Sequence, residues 1–153
     1  MATVLAERHP DDEELQVAGL VHDIGHGLMP GDEAGHGEHA AAAVAALLGP
    51  RTARLVALHI PAKRYLAATD PQLALSPEST RTLGCQGGAM TAEEAAEAAA
   101  FEQDPGFEVA VALRRADDPG KVVGRRVPGL AHWRPTVERV AASATADGGG
   151  LAP

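Results

Sequence analysis

The histidines of this chain constrain its fold more than any other feature. Five of the seven fall between residues 22 and 59, in segments that glycine and proline separate. The first stands in the dipeptide His22-Asp23, directly after the apolar residues Leu20 and Val21. A charged aspartate in such a place is costly to bury without a partner, and a metal ion is a suitable one. A helix bundle could bring these segments together around such an ion.

The residue pattern predicts a single all-α domain. A chain of 153 residues is long enough for one domain with a core and too short for two. Alanine is abundant and aromatic residues make up only 3%, so we expect closely packed helices around a modest core. No stretch shows sustained alternation of apolar and polar residues. We assign residues 1–145 to the domain and residues 146–153 to a disordered, glycine-rich tail.

Breaking and capping residues divide the domain into short helices. An aspartate at 11 or 12 can cap one helix, and Thr91 with Glu94 forms a capping box for another. Pro61 is expected to bend the helix that contains it. The predicted helices span residues 2–8, 13–23, 36–48, 51–66, 91–102, 109–116 and 135–144, with a glycine-rich loop at 25–31 and a short helix starting at 76–78 within a mostly irregular region at 67–90.

The charge balance and the single cysteine exclude several classes of protein. A net charge of −8 and a pI near 5.3 disfavour binding to nucleic acid phosphates. We find no apolar run near the ~20 residues of a membrane span and no signal peptide, so we expect a cytoplasmic protein without a membrane partner. Cys85 is alone, which excludes a disulfide framework and a cysteine metal cluster and favours a buried thiol. The oligomeric state stays open.

Basic residues gather at 51–64 and at 114–126. Either these residues all lie on solvated surfaces, or two or three of their side chains point into a pocket that binds an anion. Arginine and lysine suit a phosphate-like dianion, and neighbouring hydroxyl groups can complete its hydrogen bonds.

Further candidate metal ligands follow the His22-Asp23 pair. His36 opens the next helix, although His39 lies three residues on and is a rival. His59 lies in the helix after that. Asp117, at the end of a later helix, offers another carboxylate, with Asp118 as its alternative. Ligands of this kind, without thiolates, suit iron, manganese, zinc and similar divalent ions.

Four segments resemble one family specifically. LVHDIGH (20–26), HIPAKRYL (59–66), LSPESTRTLGCQGGAM (75–90) and LRRADDPGK (113–121) are similar to the HD-domain superfamily and, more narrowly, to its mixed-valent di-iron oxygenases. Within that branch the chain resembles 2-amino-1-hydroxyethylphosphonate dioxygenase and, more distantly, myo-inositol oxygenase. The resemblance extends over residues 2–135 and implies an HD-domain helical bundle.

The resemblance implies a role for each matching residue. Asp23 would bridge two irons, with His22 and Asp117 on one and His36 and His59 on the other. Lys63 would reach the anionic group of the substrate, and His26 would contact the substrate near the metals. Phosphonate-binding positions would be Ser79, Thr82 and Arg114.

The implied reaction uses one ferrous and one ferric ion, or another divalent metal in their place. The partners would be dioxygen and a small hydroxylated anion such as an organophosphonate. The iron would lower the pKa of the substrate hydroxyl as a Lewis acid does. The protein would hold the substrate carbon in place and exclude water.

Some positions depart from the family pattern. The histidine that is the family's first ligand would fall about three residues before Met1, so we expect the bundle to lack its N-terminal helix. Gly37 stands where the family usually has glutamate. Two alternatives therefore remain: an HD-type metal-dependent phosphohydrolase of phosphate esters or nucleotides, and an inactive HD domain that binds or regulates.

Overall fold

The computed structural model describes residues 1–124 and 126–148, and these residues form helices without a strand. The predicted all-α architecture is therefore confirmed. A turn of 3-10 helix at Ala92–Glu94 leads into the sixth α-helix. In chain order the α-helices of the described residues are α1 (Ala2–Arg8), α2 (Glu13–Val21), α3 (Gly25–Leu28), α4 (His36–Thr69), α5 (Pro77–Cys85), α6 (Ala95–Glu102), α7 (Phe107–Arg115), α8 (Asp117–Gly120) and α9 (Leu130–Gly148).

Capping residues fix where several of these helices begin. The Asp12 carboxylate accepts a hydrogen bond from a backbone N–H in the first turn of α2 at 3.0 Å. The Ser76 side chain caps α5 in the same way, with Pro77 as the first helical residue. Thr91 and Glu94 form the predicted capping box. These helix starts were therefore readable from local sequence.

Helix α4 is the centre of the fold and packs against α2, α3, α7 and α9. The sequence predicts two helices here, separated at Gly49 and Pro50. The structure confirms this separation: α4 consists of two helical segments that meet at a kink, where Gly49 has a non-helical backbone with a φ of 82° that a residue without a side chain tolerates. The backbone stays helical through Pro61.

The core of the described residues combines alanine with leucine and valine, and aromatic side chains are rare in it, as the composition predicted. One cluster joins α1, α2, α4 and α7 around Leu5, Leu15 and Leu113, which are almost fully buried. Several alanines are completely buried and let neighbouring helices approach closely: Ala18, Ala40, Ala62, Ala110 and Ala116. Because this packing fixes α2 and α7 against α4, it also fixes the residues at their ends.

By length and composition alone, α4 would be long and apolar enough to cross a membrane. From the sequence we expected no such run. Half of the apolar window is buried inside the fold, and the central helix of a helical domain passes the same test. The finding is weak evidence for a membrane span.

Several boundaries differ from the predictions. The glycine-rich loop contains the one-turn helix α3, closed by hydrogen bonds from two N–H groups to the Ile24 carbonyl. Helix α4 extends three residues into the region predicted as irregular. Helix α9 begins at Leu130 rather than Pro135, because the buried Trp133 anchors its first turn in the core.

The C-terminal prediction needs a correction as well. Helix α9 continues to Gly148, so residues 146–148 of the predicted tail are helical, in keeping with the alanine-rich run before them. Residues 149–153 lie outside the described part of the chain. Cys85, expected to be buried, is exposed at the end of α5.

Candidate functional site

Three buried histidines turn toward one another, His22 from the end of α2 and His36 and His59 from the two segments of α4 on either side of Gly49. Each uses its ring Nδ1 to bond the backbone carbonyl three residues earlier, which directs its Nε2 into a shared cavity. The three bonds are His22 to Gly19 at 3.1 Å, His36 to Glu33 at 2.8 Å and His59 to Val56 at 2.5 Å. Because helical or turn geometry fixes these carbonyls, the rings are oriented by the backbone itself.

The Nε2 atoms of His36 and His59 lie only 2.9 Å apart. Two neutral rings with protonated Nδ1 would bring two lone pairs together there, so a proton or a metal ion must lie between them. Burial lowers the pKa of His59 to about 3, assisted by the nearby His22 ring. Burial also opposes charge on His36, but its contact with Asp23 raises the pKa of His36 above the ordinary value. A metal ion could take the place of a proton between these two rings.

Asp23 lies among these histidines, at the end of α2. Its Oδ2 is 3.1 Å from the Nε2 of His22, and its Oδ1 is 3.6 Å from the Nε2 of His36. Burial favours the neutral acid, but the hydrogen bonds with His22 and His36 outweigh it and hold the pKa of Asp23 well below its usual range. A carboxylate with its two oxygens facing different imidazoles is arranged to join two metal positions.

Asp117 completes the set from the start of α8. Its Oδ1 lies 3.7 Å from the Nε2 of His22. Its Oδ2 accepts hydrogen bonds from Arg114 at 2.9 Å and from Lys121 at 2.7 Å. One oxygen therefore faces the metal ligands while the other is fixed by two cations, as expected of a ligand held by its surroundings.

Asp118 and His39, the two rivals, point elsewhere. Asp118 accepts hydrogen bonds from the Ser76 N–H at 3.1 Å and the Ser79 hydroxyl at 3.0 Å. Despite burial, these contacts and Arg114 hold the pKa of Asp118 below its ordinary value. His39 lies 2.8 Å from an exposed aspartate on the loop before α4. The structure thus favours Asp117 and His36 as cavity residues.

A cationic pocket adjoins the histidines. The buried ammonium group of Lys63 donates to the Thr82 hydroxyl at 2.6 Å and to the Gln86 carbonyl oxygen at 2.9 Å. Burial, followed by the charges of Arg114 and Lys121, lowers the pKa of Lys63 to about 8. Arg114 is 2% exposed, and its Nε has no hydrogen-bond partner among the described residues. Such a pocket favours an anion.

The two groups share one cavity of about 180 Å³. All predicted site residues except Ser79 line it, namely His22, Asp23, His26, His36, His59, Lys63, Thr82, Arg114 and Asp117. Ser79 is fully buried behind the wall, where it bonds Asp118 and lies 3.3 Å from the Lys121 ammonium. It therefore supports the pocket without lining it.

The donor set fits metal ions that prefer nitrogen and oxygen ligands. It offers three imidazoles and two carboxylates, and the Nε2 atoms of His36 and His59 approach each other closely enough to share a proton or a metal ion. His26 also lies nearby, because Asp23, His26 and His36 present ligand atoms within 4.8 Å of one another.

Comparison with known proteins agrees with this geometry. A family model described as the HD domain matches residues 1–104. The chain belongs to the HD-domain family. The match covers α1 to α6 and includes His22-Asp23, His36 and His59, while Arg114 and Asp117 lie beyond it.

Three curated proteins are similar to this HD-domain chain. The hydroxymethylphosphonate dioxygenase of Gimesia maris is 40% identical over 148 residues, covering 90% of this chain and 72% of the relative. The [1-hydroxy-2-(trimethylamino)ethyl]phosphonate dioxygenase (glycine-betaine-forming) of Leisingera caerulea is 38% identical over 146 residues, covering 89% and 73%. Uncharacterized protein L432 of Acanthamoeba polyphaga mimivirus is 30% identical over 145 residues, covering 87% and 65%. The resemblance to phosphonate dioxygenases of the HD family is confirmed.

Two glycines allow close packing around the candidate metal ligands. Gly25 is the first residue of α3, and Gly37 lies in the first turn of α4. A side chain on Gly25 would come within 1.9 Å of the His36 carbonyl oxygen. A side chain on Gly37 would lie 3.1 Å from the His59 ring, at the position where glutamate was expected. The departure at Gly37 therefore allows His59 to pack directly against the first turn of α4.

Sequence reasoning missed several cavity residues of the HD domain. Gln86 lines the cavity and accepts a hydrogen bond from Lys63, but it was not among the predicted site residues. Lys121 was noted only within a basic stretch, although its spacing of four from Asp117 could have suggested contact across one helical turn. Glu33, which contacts His26 without lining the cavity, gave no local signal. Met1 also lines the cavity, beside His22 and Asp117.

Proposed function

We propose that this HD-domain protein is a metal-dependent oxygenase that holds two iron ions and oxidatively cleaves a small hydroxylated organophosphonate. The observation that carries the proposal is the shared cavity, in which a cluster of metal ligands directly adjoins a buried cationic pocket. The phosphonate dioxygenase names of two relatives support the same substrate class.

The metal-binding residues divide into two groups around Asp23. His22 and Asp117 would hold one iron, and His36 and His59 would hold the other, with Asp23 between them. Iron bound there supplies the redox chemistry with dioxygen and lowers the pKa of a bound hydroxyl group. The residues themselves fix the ligand atoms in place before any metal or substrate arrives, which reduces reorganisation during the reaction.

The pocket residues would bind and orient the phosphonate. Lys63 and Arg114 supply positive charge, and the Thr82 hydroxyl and the Gln86 amide supply further hydrogen bonds. This would anchor the phosphorus end of the substrate away from the histidines and direct its hydroxyl-bearing carbon toward them. The burial of Lys63 and Arg114 keeps water from competing for these contacts.

The first experiment combines metal analysis with an oxygen assay. Protein purified without oxygen should contain two irons per chain and show a coupled Fe(II)/Fe(III) Mössbauer signal after partial oxidation. With hydroxymethylphosphonate, each dioxygen consumed should yield one formate and one inorganic phosphate. The atoms of the substrate and of dioxygen then balance those of the two products of C–P bond cleavage.

Two matched variants sharpen the assay. Lys63→Met should abolish turnover at low substrate concentration, whereas Arg115→Met should leave it unchanged. Arg115 is an exposed cation that pairs with Asp70 outside the cavity. If the protein contained a single redox-silent metal, hydrolysed phosphate esters and took up no oxygen, the oxygenase proposal would be wrong and the phosphohydrolase alternative would be favoured. Absence of metal and of both activities would favour a binding or regulatory domain.

A further inference from the structure

His26 differs from the other cavity histidines in what holds it. The three buried histidines are fixed by backbone carbonyls, but the Nδ1 of His26 faces a side chain, the carboxylate of Glu33, with Oε2 3.6 Å away. The His26 ring stacks on the His36 ring, with their centroids 3.9 Å apart and their planes 18° apart. The orientation of His26 therefore depends on Glu33 rather than on helix geometry.

Glu33 is well placed to impose that orientation. Its Oε2 is buried and has no hydrogen-bond partner among the described residues. Its Oε1 lies 3.4 Å from Arg81, and its backbone carbonyl accepts the hydrogen bond from His36. A buried carboxylate oxygen without a donor is costly, and a slight movement of the His26 ring supplies one.

We propose that Glu33 is a positioning residue whose carboxylate accepts a hydrogen bond from Nδ1–H of His26 and so turns the unprotonated Nε2 of His26 toward Asp23 and His36. The Nε2 atom is 3.9 Å from Asp23 Oδ1, so Asp23 competes for the ring proton when no metal is bound. A metal ion on Asp23 removes that competition and leaves Glu33 as the acceptor.

This tautomer gives the cavity a further electron-pair donor. The Nε2 lone pair then lies at the end of the cavity where Asp23, His26 and His36 present ligand atoms within 4.8 Å of one another. It can bind a metal ion directly. If the proposed function holds, it can also accept a hydrogen bond from the substrate hydroxyl. The opposite tautomer would offer a proton there and could do neither.

The tautomer can be read without dioxygen or a phosphonate. Protein labelled with ¹⁵N and loaded with zinc, which is diamagnetic, is examined by long-range ¹H–¹⁵N spectroscopy of the histidine rings. A His26→Gln variant assigns the signal. The wild-type protein should show His26 with a protonated Nδ1 and an unprotonated Nε2.

Two substitutions test the role of Glu33. Glu33→Gln keeps the shape but presents an amide donor to Nδ1, so the tautomer should invert and zinc affinity should fall about tenfold, as for other outer partners of metal ligands. Glu97→Gln is the matched control, because Glu97 is also a carboxylate paired with an arginine, Arg64, and lies outside the cavity lining. It should leave the His26 signals and zinc affinity unchanged.

The wild-type spectrum alone can overturn the proposal, so a poorly folded variant does not leave it open. A protonated Nε2 in the zinc-loaded wild type, or unchanged ring signals in folded Glu33→Gln, would refute it. Either result would leave the oxygenase assignment intact. Conversely, a protein with the expected tautomer but no oxygen uptake would retain the role of Glu33 and lose the proposed function.

Discussion

Replacing Lys63 by methionine should stabilise the unliganded protein while weakening its binding of anions. Lys63 is 6% exposed, and its hydrogen-bond partners, Thr82 and Gln86, are neutral. No carboxylate forms an ion pair with it among the residues that the structure describes. Its charge is therefore buried next to two other cations, Arg114 and Lys121, without direct compensation.

The size of the effect follows from the pKa of Lys63. Burial, followed by the charges of Arg114 and Lys121, lowers this pKa from 10.5 to about 8. One pKa unit corresponds to about 1.4 kcal/mol, so charged Lys63 costs the folded state about 3 kcal/mol at pH 7. Losing its two hydrogen bonds offsets about 1–2 kcal/mol. The net gain of about 1–2 kcal/mol corresponds to a Tm increase of about 2–6 °C.

The sign of the pH dependence provides a stricter check. Between pH 8 and 10.5 the unfolded chain binds more protons at Lys63 than the folded chain does. The stability of the wild type relative to Lys63→Met should therefore rise with pH across this window, and the advantage of the variant should shrink. Urea unfolding at pH 7 and at about pH 9.5 would measure this difference.

Anion binding should respond in the opposite direction. Removing one charged hydrogen bond should weaken binding of methylphosphonate about 10- to 100-fold by calorimetry. Arg64→Met is the matched control, because the neighbouring Arg64 pairs with Glu94 and Glu97 and should lose stability without affecting the anion. If Lys63→Met were destabilised at pH 7, or if its relative stability did not change with pH, the reasoning about buried charge would be wrong.

Three further predictions concern the metal ligands. Asp117→Asn should keep the fold and lose metal by elemental analysis, whereas Asp118→Asn should keep metal but lose about 1–3 kcal/mol in urea unfolding, because it weakens three partly buried hydrogen bonds. Gly25→Ala should cost more than about 2 kcal/mol, since the new carbon would lie 1.9 Å from the His36 carbonyl oxygen; a stable variant with normal metal content would contradict this contact. Zinc at about 100 times its Kd should stabilise the protein by about 2.7 kcal/mol in a thermal melt, and no shift would argue against a preformed site.

The sequence predicted those parts of the fold that local chemistry determines. Asp12, Ser76 and the capping box at Thr91 mark helix starts because a side chain within the same turn satisfies the exposed N–H groups. The extension of α9 to Leu130 depends instead on burial of Trp133 against other helices. Such tertiary contacts leave no local signal, so the predicted helix start was five residues late.

The candidate site divides in the same way. His22-Asp23 and His59 belong to segments that resemble the HD family. Their positions at a helix end and on a helix allowed us to predict that these side chains would lie close together. The choice between Asp117 and Asp118 required the structure, because neighbouring residues differ only in the direction of their side chains. Glu33 could not be predicted from the sequence. It lies in the loop between α3 and α4, and only the packed fold determines that this loop brings it to His26.

Asp117 ties the two halves of the cavity together electrostatically. Its carboxylate faces His22 with one oxygen and neutralises Arg114 and Lys121 with the other. A metal ion bound to Asp117 would compensate the negative charge of this carboxylate. Arg114 and Lys121 would then be less neutralised and would attract an anion more strongly. By reciprocity, a bound anion should tighten metal binding by the same factor. Calorimetry with methylphosphonate should therefore show tighter binding to zinc-loaded than to metal-free protein, and equal affinities would show that the two halves act independently.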